Sequence, residues 1–188
     1  MRLFITLNLP KRERERIHRA ARPLRDEELP VRWIEPEHYH LTLKFLGQVR
    51  PERIPEIRRT LDHVASATPV FPMAFRGFGA FPTIRRPRVI WLGVEASAEL
   101  RCLKQDVEWA LGDHGFEPET RAFHPHLTLG RADPAIGGGA FRGLDRRMAD
   151  LHYAGSVTVR SLDLMRSQLS REGARYSVVA SSKLARNA

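Results

Sequence analysis

The chain has 188 residues, 42% of them apolar and 28% charged, enough to bury a core as one domain or as two small lobes that share one. Its single cysteine, Cys102, excludes an intramolecular disulfide and a thiolate-rich metal site and fits a reducing compartment, so a cytoplasmic protein is expected. The net charge of +9 points to an anionic partner, usually nucleic acid or nucleotide, although only four of the 31 basic residues are lysines and codon composition alone can produce such an arginine bias.

Residues 2–9 alternate as a strand with Leu3, Ile5 and Leu7 on one face. This short run meets Pro10 and a charged segment, so it reads as neither a signal peptide nor a membrane span. Residues 11–22, KRERERIHRAAR, form a solvated helix with i,i+4 pairs of Arg and Glu. After Pro23 and Pro30 come an extended piece, Val31 to Ile34, a turn at Pro36-Glu37, and a strand from near Tyr39 to Gly47. Ile54, Ile57, Leu61 and Val64 mark one face of a helix over 51–67, with Pro55 in its first turn or so. Strands over 70–81 and 88–95 flank the turn-rich PTIRRP. A second amphipathic helix over 97–113 carries Leu100, Leu103, Val107 and Leu111, with Ser97 as N-cap and Gly115 as stop. A strand at 126–131, a loop through Gly137-Gly138-Gly139 and a short helical or irregular stretch over 140–150 follow. Strands at 157–167 and 175–181, joined by a turn at 170–173, end the expected order, and nothing suggests order over 182–188.

Within this pattern His-Leu-Thr-Leu occurs twice, at 40–43 and 126–129, each time on a strand preceded by its own strand and helix. Successive strand side chains point to opposite faces, so His40 shares a face with Thr42, and His126 with Thr128. The repeat predicts an α+β fold: one domain over 1–188, built as two pseudo-symmetric α+β lobes with antiparallel sheets flanking a central cleft.

Two imidazoles are suited to moving two protons, because neutral and protonated forms coexist near neutral pH. On opposite sides of a phosphorus atom, one activates water and the other protonates the departing oxygen, while threonine hydroxyls bond the non-bridging oxygens as their charge grows. No metal or other cofactor is required. A competing arrangement comes from His38-Tyr39-His40 and His124-Pro125-His126, where four imidazoles gather around zinc; neither carries the nearby Asp or Glu of a hydrolytic metal site.

The two HLTL segments, with RLFITLNLP, VRWIEPEHYHLTLKFLG, FRGFGAFP, RPRVIWLGVE, HPHLTLGR and SLDLMRSQLSREGARY, resemble the two-histidine phosphoesterase superfamily along nearly the whole chain. Within it the resemblance is to the bacterial and archaeal RNA 2',3'-cyclic phosphodiesterases, historically called 2'-5' RNA ligases. It implies hydrolysis of a 2',3'-cyclic phosphate at an RNA or nucleotide end to a 2'-phosphomonoester, with reversible 2'-5' joining as a minor activity. It also implies His40 as proton donor to the leaving O3', His126 as the base that activates water, and Thr42 and Thr128 on the phosphate. Two other readings use the same scaffold: hydrolysis of 2'-5' oligonucleotides or other cyclic phosphodiesters, and an RNA-binding domain without turnover.

Phe45 and Arg131 each stand five positions after a motif histidine, a pair suited to sandwiching a base. Strict alternation puts them on the wrong face, so a bulge or the strand end is required. Phe78, Phe81 and Trp33 are further stacking candidates, and the basic turn with Arg85, Arg86 and Arg88 is suited to an RNA backbone. Ser167 and Tyr176 on the last hairpin are candidates for hydrogen bonds near the site, and His18, His63, His114 and His152 read as surface residues. The expected partners are RNA ends or nucleotides carrying a 2',3'-cyclic phosphate, met by a monomer away from any membrane.

Overall fold

The computed structural model describes residues 1–170 and 173–186. Among these described residues nine strands form one antiparallel sheet. They are β1 (Arg2–Asn8), β2 (Val31–Trp33), β3 (His40–Gln48), β4 (Phe71–Thr83), β5 (Arg86–Val94), β6 (His126–Ala132), β7 (Ala154–Val159), β8 (Ser161–Ser170) and β9 (Gly173–Lys183). The helices are α1 (Lys11–Ala20), α2 (Arg22–Arg25), α3 (Ile54–Ala67), α4 (Ala98–Gly112) and α5 (Leu144–Ala149).

The strand order is β7-β4-β5-β6-β3-β1-β8-β9, with β2 added to β6. It has a mirror logic: each motif strand, β3 or β6, lies beside the strand that opens its own repeat, β1 or β5. The expected lobes are therefore present, but they are not consecutive halves of the chain. β8 and β9 return from the C-terminal part to complete the first lobe beside β1, while β4 leaves the N-terminal part to pair with β5 and β7 in the second. Between the lobes β3 meets β6 at Leu41 and Leu127.

One face of this sheet is apolar and covered by helices. Leu3, Ile5, Leu7, Leu41, Leu43, Leu92, Leu127, Leu129, Leu162 and Leu164 are buried in one cluster with Ile57, Leu61, Leu100, Leu103 and Leu111 from α3 and α4. α3 lies on β8 and β9, α4 against β3, and the two helices touch. The Ser97 hydroxyl accepts from the Leu100 N–H at 3.2 Å, the N-cap that the sequence indicated. A smaller cluster joins Leu24, Ala80, Ile90, Phe141, Leu144 and Met148.

Two expectations need correction. The strand read over 157–167 is two strands that pair in different lobes, β7 with β4 and β8 with β1, separated at Arg160. The chain is ordered past Ser181. Lys183 is still in β9, Leu184 is buried, and Ala185 N–H donates to the carbonyls of Thr68 (2.9 Å) and Ala65 (3.2 Å) while its own carbonyl accepts from Val70 N–H. Local periodicity cannot reveal that segment because its partners are tertiary: Lys183 pairs with Ser161, Leu184 N–H donates to the Arg160 carbonyl, and Ala185 bonds residues more than a hundred positions away. Residues 171–172 of the final turn and 187–188 lie outside the described residues.

Candidate active site

The Leu41–Leu127 register sets the site. In an antiparallel pair the residues flanking a matched pair are crosswise neighbours, so His40 comes opposite Thr128, and Thr42 opposite His126. Leu41 and Leu127 point into the core, which leaves all four polar side chains, each half-buried, on the other face of the sheet.

Both imidazoles are held in the same way. His40 Nδ1 lies 2.7 Å from the His38 carbonyl, and His126 Nδ1 lies 2.7 Å from the His124 carbonyl. A carbonyl only accepts, so each Nδ1 carries the proton and each neutral ring keeps Nε2 as its unprotonated nitrogen. The HxH repeat is thereby explained without four rings on an ion: the first histidine of each pair lends its backbone carbonyl. Among the described residues no three His, Cys, Asp or Glu side chains converge as a metal-binding group.

Aromatic rings surround each histidine. Tyr176 meets His40 edge to face at a centroid distance of 5.3 Å and His38 at 5.2 Å, and Phe4 lies 5.3 Å from His40. Phe81 meets His126 edge to face at 5.1 Å, with Trp91 6.4 Å away. Burial lowers the His40 pKa to about 4; the bond to His38 opposes this, while the charges of His38 and Arg131 add to it. Burial also lowers the His126 pKa, the bond to His124 opposes, and Arg131 and His124 add to the lowering. These lowered pKa values leave both rings neutral at pH 7.

The parity problem of Phe45 and Arg131 is resolved by two matching irregularities. In β3 the partners run Thr42 to Thr6, then Lys44 to Ile5 and Phe45 to Phe4, so one residue is extra. In β6 they run Thr128 to Trp91, then Gly130 to Ile90 and Arg131 to Val89. Each is a bulge just past the motif, and each returns the fifth residue to the histidine face. Phe45 is 64% exposed beside Phe4 at 5.9 Å, and Arg131 is exposed within electrostatic reach of both histidines.

The bulge in β3 is clamped from the helix side. Lys44 is buried and ion-paired to Glu108 of α4, and its ammonium also donates to the Glu117 carbonyl at 2.7 Å. Lys104 donates to the Leu43 carbonyl at 2.7 Å and pairs with the other Glu108 oxygen, while Glu119 N–H donates to Glu108 at 3.3 Å. The Lys104 and Lys44 bonds and charges outweigh burial and hold the Glu108 carboxyl below its ordinary range. One carboxylate thus ties β3 to α4 and to the loop that runs into His124.

The other candidates divide. Phe81 and Tyr176 touch the histidines, and Arg88 lines an open cavity with Arg131. Phe78 does not reach the site, because it stands opposite the fully buried Leu92 and packs into both cores. Trp33 is also a core ring, packed over Gly130, where a Cβ would come 2.8 Å from it. Ser167 sits across from Tyr176 and Arg2, one strand removed from the His40 ring. His114 is half-buried and 2.6 Å from Glu56, and His18 bonds the Tyr39 hydroxyl at 3.2 Å, so neither is a bare surface residue.

Two residues escaped the sequence reading. Thr6 stands opposite Thr42 and Trp91 opposite Thr128, and the Thr6 hydroxyl and Trp91 indole N–H are both buried without a hydrogen-bond partner among the described residues. Trp91 lies so close over Gly79 that a Cβ there would meet its ring at 2.3 Å. The signal was present in their equivalent places on the strands that open the two repeats.

A family profile described as LigT-like phosphoesterase matches the chain twice, over residues 7–91 and 92–176, one copy for each motif. This chain belongs to that family. Among curated relatives, the RNA 2',3'-cyclic phosphodiesterase of Aeropyrum pernix is 40% identical over 84% of this chain and 88% of its own. That of Methanothermobacter thermautotrophicus is 31% identical over 94% and 95%. Of solved structures, TT0787 of Thermus thermophilus superposes with a TM-score of 0.80 at 26% identity over 98% of both chains. LigT of E. coli complexed with 3'-AMP gives 0.75 at 26% identity over 97% of both. The fold is thus common ground between this chain and these solved structures. No helix among the described residues is long and apolar enough to cross a membrane.

Proposed function

We propose that this LigT-like protein hydrolyses RNA or nucleotide 2',3'-cyclic phosphates to 2'-phosphomonoesters, with His126 as general base and His40 as general acid. The observation that carries the reading is the matched pair of imidazoles on paired strands, each with Nδ1 tied to a carbonyl so that Nε2 is the nitrogen able to exchange a proton. The relatives named RNA 2',3'-cyclic phosphodiesterase support it.

His126 Nε2 takes a proton from water as its oxygen attacks phosphorus. The P–O3' bond breaks, and His40 delivers its Nε2 proton to O3'. Thr42 and Thr128 donate to the non-bridging oxygens as charge accumulates on them. His40 must be charged for this, yet burial favours its neutral form. The negative phosphodiester raises its pKa on entry, so substrate binding and proton uptake are coupled. With a 5'-hydroxyl in place of water, His126 takes its proton as O5' attacks phosphorus, the P–O3' bond breaks and His40 protonates O3', leaving a 2'-5' phosphodiester; the reverse, attack of O3' on that diester with departure of the 5'-hydroxyl, makes the ligation reversible.

Both protons have an imidazole at hand, so the reaction is written without a metal, and turnover is expected to persist in chelator. Phe45 and Tyr176 offer stacking surface to the terminal base, and Arg131 offers charge to the phosphate. Both histidines come from one chain, so a monomer suffices, acting on RNA in the cytoplasm. The test is turnover of a nucleoside 2',3'-cyclic phosphate by wild type, His40→Ala and His126→Ala. Each substitution is expected to cost about a hundredfold to ten-thousandfold in rate with an unchanged circular dichroism spectrum. A variant that keeps its activity removes that histidine from the mechanism, and a 3'-phosphate seen by phosphorus NMR reverses the geometry.

A further inference from the structure

We propose that the cleft continues into a second, basic subsite that holds the internucleotide phosphates upstream of the cyclic end, so that the preferred substrate is an oligonucleotide rather than a mononucleotide. This rests on the phosphodiesterase reading and specifies its substrate class.

The subsite is a cavity of about 740 Å³ at the outer end of β6, large enough for a nucleotide. Arg32, Arg88 and Arg131 line it, together with Asp133, Pro134 and Ile136. Arg131 belongs to both spaces. The β6 bulge puts it on the histidine face, its charge reaches both motif histidines, and it forms part of the cavity wall. Arg32 of β2 stands directly across from Arg131, on the same face.

Like charges at directly opposed positions destabilise an antiparallel pair. Among the described residues none of Arg32, Arg88 and Arg131 has a carboxylate within 4.0 Å. The one carboxylate of the lining, Asp133, accepts from the Ala135 N–H at 2.9 Å. Three guanidiniums against one committed carboxylate give this surface a net positive charge that suits a polyanion, which displaces the counterions that otherwise screen it. Ile136, 44% exposed, supplies apolar surface for an upstream base or ribose.

The equivalent place in the first lobe holds the exposed Phe45, not a cation. That asymmetry gives the substrate a direction. The terminal base faces the aromatic lobe, and the chain leaves over the arginines of the second lobe.

The experiment compares kcat/KM for a cyclic mononucleotide and for a trinucleotide ending in a 2',3'-cyclic phosphate, across a salt series. Two upstream phosphates held by Arg32 and Arg88 predict about a tenfold preference for the trinucleotide at low salt and a log–log salt slope steeper by about 1.4. In the Arg32→Gln/Arg88→Gln double variant the preference and the extra slope collapse, and Arg32→Lys retains most of both. Equal values and slopes for the two substrates in wild type, or a preference unchanged in the double variant, overturn the subsite while leaving the phosphodiesterase reading intact. Absence of wild-type turnover on either substrate overturns that reading instead. The subsite is then judged by the binding of a fluorescent trinucleotide 2'-phosphate, where equal affinity of wild type and double variant overturns it too.

Discussion

His40 and His126 occupy equivalent places but unequal surroundings, and the inequality is electrostatic. Both ordinary pKa values are lowered, His40 to about 4. If the acid must be charged when free enzyme meets substrate, kcat/KM falls with rising pH above about 6.5, by close to tenfold per unit. A profile that stays flat from pH 6.5 to 9 contradicts the assignment of a protonated donor. The same lowering has a thermodynamic sign. Between about 6.5, the unfolded value, and about 4, the unfolded chain binds a proton that folded His40 does not, so stability rises with pH across that window and is lost as pH falls through it. Wild-type Tm is therefore expected to drop between pH 6.5 and 4, and His40→Asn to drop less. Equal slopes in the two proteins remove His40 as the cause.

Strand register explains why alternation alone misplaces Phe45 and Arg131. Each follows a bulge, and the bulge exists because β1 and β5 offer one residue where β3 and β6 supply two. Past the extra residue the two lobes differ. Position four is a buried Lys44 in β3, where α4 can bond it, and Gly130 in β6, where Trp33 covers the backbone. Breaking a buried pair typically costs about 3–5 kcal/mol, because one charge remains without its partner. Lys44→Ala leaves Glu108 its Lys104 partner, so a smaller loss, about 1–3 kcal/mol for the acceptors left without their donor, is expected in urea unfolding. It should also slow turnover, since the Glu117 carbonyl on the way to His124 loses its donor. A loss below about 1 kcal/mol would make the Lys44–Glu108 contact a minor one.

The path of the chain through the whole molecule binds the lobes into one unit. Because β8 and β9 complete the lobe that β1 begins, neither half of the chain holds a finished sheet. A single unfolding transition is expected, coincident by tryptophan fluorescence and far-ultraviolet circular dichroism. Separated transitions would mean that the lobes fold independently. The C-terminal residues take part in this closure. Leu184 is 5% exposed, and Ala185 bonds to the end of α3 and to Val70. Truncation after Lys183 is expected to cost about 2–3 kcal/mol, the burial of one leucine plus its backbone bonds. Unchanged stability of the truncated chain would show the segment to be dispensable.

Much of this was legible in one dimension. The alternation around His40 and His126 identified two strands, the spacing of Ile57, Leu61, Leu100 and Leu103 identified the helices that cover them, and the repeat itself indicated a paired site. These are local properties, since a side chain's face is set by a period of two or 3.6 residues. The three-dimensional structure alone decided which strands are neighbours, because pairing joins residues far apart in sequence. From pairing follow the division of 157–167 between two lobes, the order of Leu184 and Ala185, the retreat of Phe78 into the core, and the bulges that turn Phe45 and Arg131 toward the histidines. Pairing also set Arg32 beside Arg131, a juxtaposition that no local period in the sequence could reveal.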